Sequence, residues 1–240
     1  MSAVVLALAG IAAPSAHAQI DPPISDPLGA VQAWATAESL ARLLPDGRSA
    51  VPTRRTSTRP RRATRSQLAA LRFARAARVT AANDAAVVAQ MGPGHDPQTV
   101  IADIERNRRL AHQHMRSLAG RWSANDLGDV AAYVLLSGYA AYHGLESLPG
   151  AAVRAAQRAA RNGLALRKRI RRMSNADKQT AAEMSEIRMI YSLAALSAAR
   201  KAGDGDTAEE TRWEIRTWVR DAYGLDLERA RLTRHGFVER

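Results

Sequence analysis

Apolar side chains recur at intervals of three and four residues over most of the chain after residue 66, whereas alternation of apolar and polar residues is never sustained. The first spacing is typical of a helix with one buried face, and the second is typical of a strand. β-branched residues are sparse and alanine is frequent, which also favours helix. The sequence therefore predicts an all-α protein, a bundle of five or six helices.

Turn and capping residues set the predicted helix boundaries. We expect helices over about 67–91, 96–119, 123–143, 149–172, 174–201 and 206–223, followed by a short turn near the C-terminus. Asp96 with Pro97, Ser123 with Asp126, Ser174 with Asp177, and Asp206 with Glu209 are the predicted start signals. In the third helix apolar residues cover nearly the whole circumference, which predicts a central position in the bundle.

The N-terminus has the pattern of a secretory signal peptide. Residues 4–13 form a short apolar run, Pro14 breaks it, and Ala16-His17-Ala18 offers the small-x-small motif of signal peptidase. Cleavage after Ala18 would leave Gln19 as the first residue. The run is too short for a permanent membrane anchor, although no Lys or Arg precedes it. The alternative is a buried N-terminal helix.

The predicted domain organisation follows from these boundaries. Residues 1–18 are the signal peptide, residues 19–65 are a lead-in that ends in an Arg- and Pro-rich linker, and residues 66–240 are the helical domain. No segment after the first 18 residues is long and apolar enough to be a transmembrane helix. We predict an exported protein, periplasmic or extracellular.

The positive charge is concentrated in two blocks. The formal net charge is +12, and arginine supplies most of the 35 cations. Residues 54–78 hold nine arginines and no acid, and residues 147–176 hold eight cations and no acid. Codon bias in a GC-rich genome explains an arginine-rich composition, but it does not explain the exclusion of acids from two stretches of this length. Their placement favours a surface for polyanions.

The second block predicts a basic stripe on one helix. Its cations face away from a stripe of small apolar residues, which fits either a solvated face of a bundle helix or a surface that docks on anionic lipid, lipopolysaccharide or nucleic acid. Phe73 is the only aromatic residue in either block, and export would disfavour nucleic acid, so an anionic envelope component or an acidic protein is the expected partner. The candidate polyanion-binding residues are Arg54, Arg55, Arg59, Arg61, Arg62, Arg65, Arg154, Arg158, Arg161, Lys168 and Arg172.

No catalytic, cofactor or metal motif is recognisable. Cysteine is absent, and His112 and His114 point about 200° apart on a helix, so they cannot share a metal. Each histidine, these two included, fits a surface or capping role better than ligation. Glu183 and Glu186 with Gln179 follow one helix stripe, which fits a solvent face or a pair with Arg188 better than acid–base chemistry. We therefore expect no metal and no cofactor.

Trp213 lies off the predicted buried face of the last long helix, about 200° from Ile215. An exposed tryptophan would mark an interface with another protein. The alternative is a contact with the N-terminal helix or a loop, and the sequence favours that second reading.

Four segments together resemble a known family. They are Thr58-Arg59-Pro60, the helix over 126–139, Asp177-Lys178-Gln179 with Ala182-Glu183, and the ending over 224–237 with Gly224-Leu225-Asp226-Leu227 and Gly236-Phe237. They are similar to a family of exported helical proteins of Gram-negative bacteria that is known only as a domain of unknown function. The resemblance covers residues 58–238 and implies secretion and a helical domain, without catalytic residues.

These observations favour an exported helical protein that acts by binding through its basic surfaces. Two alternatives stay open. One is a periplasmic enzyme with a carboxylate site around Gln179, Glu183 and Glu186, and the other is a subunit of a helical assembly that uses Trp213 and the alanine-rich helices.

Overall fold

The structure is a computed structural model, and it describes residues 3–5 and 62–239. Within these residues the fold is mostly helical, as predicted, with eight helices and four short strands. The elements are β1 (Ala3–Val5), α1 (Arg65–Ala69), α2 (Ala77–Met91), α3 (Pro97–Ser117), α4 (Leu127–His143), β2 (Ser147–Pro149), α5 (Gly150–Leu166), α6 (Lys168–Arg172), α7 (Asn175–Ala202), α8 (Gly205–Tyr223), β3 (Ala230–Thr233) and β4 (Gly236–Glu239).

Helix α4 lies at the centre of the main core. Fourteen of its 17 residues are buried, which confirms the prediction from its apolar circumference. Helices α5, α7 and α8 all pack on it. A side chain added at Gly138 would come within 3.2 Å of Met189 on α7 and Val219 on α8, so the glycine allows these helices to approach closely.

Helix α7 is the longest element and joins the main core to a smaller one. Ser174 and Asp177 form the predicted capping box at its start. Its other side packs against α2 and α3, where Val87, Ile104 and Ile187 are buried together. The helix therefore organises both cores.

The helix predicted over 67–91 is two helices, because α1 ends at Ala69 and α2 begins at Ala77. Between them the backbone pairs with the segment before α4: Phe73 N–H donates to the Asn125 carbonyl, and Leu127 N–H donates to the Leu71 carbonyl. Leu71 and Phe73 bury their side chains in the core. Pairing and burial together outweigh the local preference for helix.

The helix predicted over 149–172 is also interrupted. Helix α5 ends at Leu166, and Arg167 has an extended backbone before the short α6. Ile170 turns into the core, and the Arg171 guanidinium donates to the carbonyls of Ala165 and Leu166. The last turn of α5 is thus capped by a side chain from beyond the break.

Two predicted caps lie at different residues. Asp126, and not Ser123, is the N-cap of α4, and Asp204, and not Asp206, is the N-cap of α8. In both cases a carboxylate accepts from backbone N–H groups in the first turn of the helix. Asp96 caps α3 with Pro97 in its first turn, as predicted.

The strands form two small antiparallel pairs. The C-terminal segment predicted as a turn is a hairpin of β3 and β4, with Leu232 opposite Phe237. Its Gly236, at φ 101°, lies against Ala155 and Ala159 of α5. Strand β1 pairs with β2, with Val4 opposite Leu148. No helix among the described residues meets the length and hydropathy that a membrane span requires.

Candidate anion-binding face and buried polar network

Helix α5 presents arginine to solvent and buries its apolar residues. Val153, Ala156, Ala160 and Leu164 are buried against α4 and the hairpin. Arg154 and Arg158 are exposed and lie one helical turn apart on the other side. No acidic residue occurs on α5, so nothing on this helix neutralises the two guanidinium groups.

The two basic blocks of the sequence meet at this helix. Ala63 N–H donates to the Asn162 side-chain oxygen at 2.6 Å, and α1 packs on α5. Arg62 and Arg65 flank this contact and are exposed. Asn162 lies one turn beyond Arg158 on α5. Cations that are about a hundred residues apart in sequence therefore share one surface.

Arg121 extends this surface, although it lies outside both blocks. Its carbonyl accepts from the Gln157 amide at 2.7 Å, and its own side chain is exposed. The stem of Arg154 lies beside Gly120, since a side chain added there would be 3.5 Å from Arg154 Cγ. Arg121 reaches this surface only through the tertiary fold, so no local sequence pattern predicts that it lies here. We call Arg62, Arg65, Arg121, Arg154 and Arg158 the basic face.

Arg161 does not belong to the basic face. Its Nη2 donates to Asp126 Oδ2 at 2.9 Å, and its Nε lies 3.6 Å from Asp129 Oδ1. Asp126 and Asp129 are buried at the start of α4. The proposed polyanion contact of Arg161 is therefore replaced by an internal ion pair that joins α5 to α4.

The other predicted cations are distributed differently from the expected single stripe. Lys168 and Arg172 are exposed, but they lie on α6 beyond the break at Arg167. The other candidate cations of the first block lie in the predicted linker, outside the described residues, namely Arg54, Arg55, Arg59 and Arg61.

The aspartate pair at the start of α4 is electrostatically unusual. Burial and the neighbouring Asp126 carboxylate raise the pKa of Asp129 to about 6. Burial also raises the pKa of Asp126, although Arg161 partly offsets this effect. Gln157 donates to Asp129 Oδ1 at 2.8 Å, and Ser123 N–H donates to its other oxygen at 3.0 Å. The pair holds the loop before α4, α4 itself and α5 together.

A second polar cluster surrounds Glu183 on α7. Its side chain has no exposed surface, and its two oxygens accept four hydrogen bonds. The donors and distances are Arg75 Nη1 at 3.1 Å, Thr80 Oγ1 at 2.9 Å, Asn83 Nδ2 at 2.7 Å and Gln179 Nε2 at 3.0 Å. A carboxylate with four donors is fully engaged by the protein, so it anchors α2 and the preceding segment to α7.

Glu186, one turn further along α7, is equally buried but less well satisfied. Its Oε2 lies 3.1 Å from His112 Nε2 on α3 and 3.9 Å from Arg75 Nη2. Its Oε1 is buried without a hydrogen-bond partner among the described residues. His112 and Arg75 retain 18% and 25% exposure of their side chains, so this end of the network reaches the surface.

The structure thus corrects the sequence-based reading of these residues. Glu183, Glu186 and Gln179 are buried and do not face solvent. The guanidinium of Arg188, which the sequence offered as a partner, lies 4.9 Å from the centre of the Trp218 ring. His112 is part of a buried network and not a surface histidine. The partners Arg75 and His112 come from distant segments, so their proximity cannot be read from local spacing.

Two other histidines have structural contacts inside the protein. His114 stacks edge-on against Tyr133, and burial lowers its pKa. His143 bonds the Leu227 carbonyl near the end of α4. No group of three or more histidine and carboxylate side chains in the described part of the chain is arranged to hold a metal ion.

Trp213 is exposed, with 61% of its surface accessible. The predicted contact with a loop or the N-terminal helix is therefore not made by the described residues. On α8 the buried side is formed by Ile215, Val219 and Ala222, and Trp213 is on the opposite side.

Comparison with known proteins identifies one relationship. The model of a family of unknown function, DUF6683, matches residues 2–240. No curated protein and no solved structure matches the chain.

Proposed function

The chain belongs to the DUF6683 family of unknown function, and we propose that it is an exported binding protein whose basic face docks on anionic lipid headgroups. The observation that supports this most strongly is the meeting of the two acid-free blocks at α5, through the bond from Ala63 to Asn162. Five exposed arginines lie together there, on backbone that is either helical or held by a hydrogen bond to α5.

Arginine suits this role because its planar guanidinium donates two parallel hydrogen bonds to a phosphate group. Arg154 and Arg158 project from a helix whose backbone is already fixed by packing, so binding costs little further backbone entropy. Near an anionic surface each cation contributes about 1 kcal/mol, which makes several arginines sufficient for stable docking.

Docking without insertion is the mode that the face supports. The apolar residues of α5 are committed to the core, and Trp122, which adjoins Arg121, is half-buried and donates to the Ala119 carbonyl. Such a surface attracts headgroups but offers nothing to enter the acyl region. The lack of stacking aromatics also disfavours single-stranded nucleic acid. Binding should therefore fall steeply as salt is added.

The export part of the proposal has its own support and its own test. It is supported by the apolar run, the break at Pro14 and the Ala16-His17-Ala18 motif. Cleavage after Ala18 would remove β1 and leave β2 without its partner strand. An intact mass that corresponds to a chain starting at Gln19, measured from the periplasmic or extracellular fraction, would support export. A full-length mass in the cytoplasm would overturn it.

Cosedimentation with vesicles tests the docking. We expect the protein to bind phosphatidylglycerol-containing vesicles and not vesicles of phosphatidylcholine alone, and to be released as the salt concentration rises. Heparin and duplex DNA serve as soluble polyanions in parallel. Binding to these polyanions without binding to anionic vesicles would contradict a lipid surface as the ligand.

A further inference from the structure

The exposed side of α8 has a composition unlike the rest of this basic chain. Asp206, Glu209 and Glu210 are exposed, and Trp213 follows them on the same side of the helix. Glu209 and Trp213 are four residues apart, which places them on adjacent turns. We call Asp206, Glu209, Glu210 and Trp213 the acidic strip.

The local charge differs in sign from the net charge of the chain. Residues 204–223 contain six carboxylates and three arginines, which gives −3, while the whole chain carries +12. Two of those arginines are engaged on their own side of the molecule: Arg216 with Asp226 at 2.9 Å, and Arg220 with Asp221 at 3.1 Å. The strip is therefore an exposed patch of negative charge with an exposed indole at its end.

We propose that the acidic strip of one molecule docks on the basic face of a second copy, an inference that relies on the same arginines as the proposed function. The spacing of the groups is complementary. Arg154 and Arg158 are one turn apart on α5, and Glu209 and Trp213 are one turn apart on α8. One guanidinium can pair with the carboxylate while the other stacks on the indole.

The positions of the two surfaces determine what kind of assembly results. Both α5 and α8 pack on α4, and among the described elements α5 and α8 share no principal packing contact. The two surfaces are thus different patches on one molecule. A contact between two different patches can repeat from one copy to the next, which gives head-to-tail association. Anionic headgroups occupy the same arginines and therefore disperse the assembly.

Charge reversal on each side, followed by mixing, tests the contact. The first variant is E209R/E210R, and the second is R154E/R158E. Sedimentation velocity is measured at about 0.15 M salt, where net repulsion is screened beyond a distance of about 8 Å. We expect the wild type to self-associate, each variant alone to be monomeric, and an equal mixture of the two to associate again, because each reversed surface then meets an opposite charge.

A third variant isolates the tryptophan. W213A leaves every charge in place, and we expect its self-association to be weaker by about tenfold, as for a central aromatic residue of an interface. The net charge is unchanged in this variant, so a loss of association reports the indole itself. Unchanged association of W213A would overturn the assignment of Trp213 to the contact.

The results separate this inference from the proposed function. E209R/E210R keeps the basic face and should still bind anionic vesicles. If the wild type is monomeric at high concentration, or if the mixture of reversed variants stays monomeric, the head-to-tail contact is wrong and lipid docking is unaffected. If R154E/R158E binds vesicles as the wild type does, lipid docking is wrong, whatever the mixture shows.

Discussion

The Nη2 atom of Arg161 lies 2.9 Å from Oδ2 of the buried Asp126, so one arginine of the basic block binds inside the protein. Arg158, three residues earlier, is exposed. The same residue type on the same stripe of α5 thus has two roles, and the position along the helix, next to Asp126 and Asp129, decides which. Removing Arg161 would leave two buried carboxylates without their cation, whereas removing Arg158 changes only the surface.

Gly128 allows Arg161 to reach the aspartate pair. A side chain at this position would come within 2.7 Å of Arg161 Cγ and 2.9 Å of the Arg161 backbone, which cannot move freely. We expect Gly128→Ala to lower the free energy of unfolding by about 2 kcal/mol, the usual cost of overpacking. Urea denaturation measures the change.

Gly94→Ala is the matched control, because a side chain there meets nothing within 4 Å. It should change stability by no more than about 0.5 kcal/mol. Equal stability of the two variants would contradict the close approach of α5 to α4.

Glu183 and Glu186 provide a second comparison, since both are buried but only Glu183 accepts four hydrogen bonds. Glu183→Gln should destabilise the protein by roughly 3 kcal/mol, because an amide replaces a saturated acceptor and leaves Arg75 short of a counter-charge. Glu186→Gln should cost less, since Glu186 Oε1 has no partner among the described residues. Denaturation of both variants measures the difference, and a larger loss for Glu186→Gln would contradict the network.

The raised pKa of Asp129 predicts a specific pH dependence. Its carboxyl binds a proton more tightly in the folded chain, with a pKa of about 6, than at its ordinary value of 3.8. The resulting stabilisation is full below about pH 4 and is lost as the pH rises through 6, with a magnitude of about 3 kcal/mol.

The test compares wild type and Asp129→Asn at pH 5 and at pH 7.5. The difference between the two proteins removes the contribution of titrating groups that do not interact with Asp129, and leaves that of Asp129 with its neighbour Asp126. We expect the wild type to lose more stability than the variant over this interval. Parallel pH profiles would show that Asp129 titrates at its ordinary value.

The sequence predicted the helical class and several details because these depend on local chemistry. The apolar circumference of α4 and the caps at Asp96 and Ser174 involve residues within one or two turns of each other. Membership of a family of unknown function is likewise confirmed. Export and Gram-negative origin, which the resemblance implied, stay predictions.

The sequence failed where distant segments decide the structure. The break after α1 depends on backbone pairing with residues 125–127, more than 50 positions away. A polar pair at spacing three, such as Glu183 and Glu186, looks the same on a solvated face as in a buried network. Only the arrival of Arg75 from 108 residues away distinguishes the two cases.

The central claim is that the arginines act through their placement on the basic face and not through net charge alone. Two double variants separate these explanations. R154Q/R158Q removes two cations from the basic face, and R106Q/R109Q removes two exposed cations from α3, which does not belong to it. Both lower the net charge by the same amount.

The decisive measurement is the affinity of each double variant for phosphatidylglycerol vesicles across a salt series. At about 1 kcal/mol per arginine, R154Q/R158Q should bind roughly tenfold to thirtyfold more weakly than the wild type and show a shallower salt dependence. R106Q/R109Q should stay within about threefold of the wild type, because its cations lie away from the bound surface. Equal losses in the two variants would show that net charge, and not the basic face, drives binding.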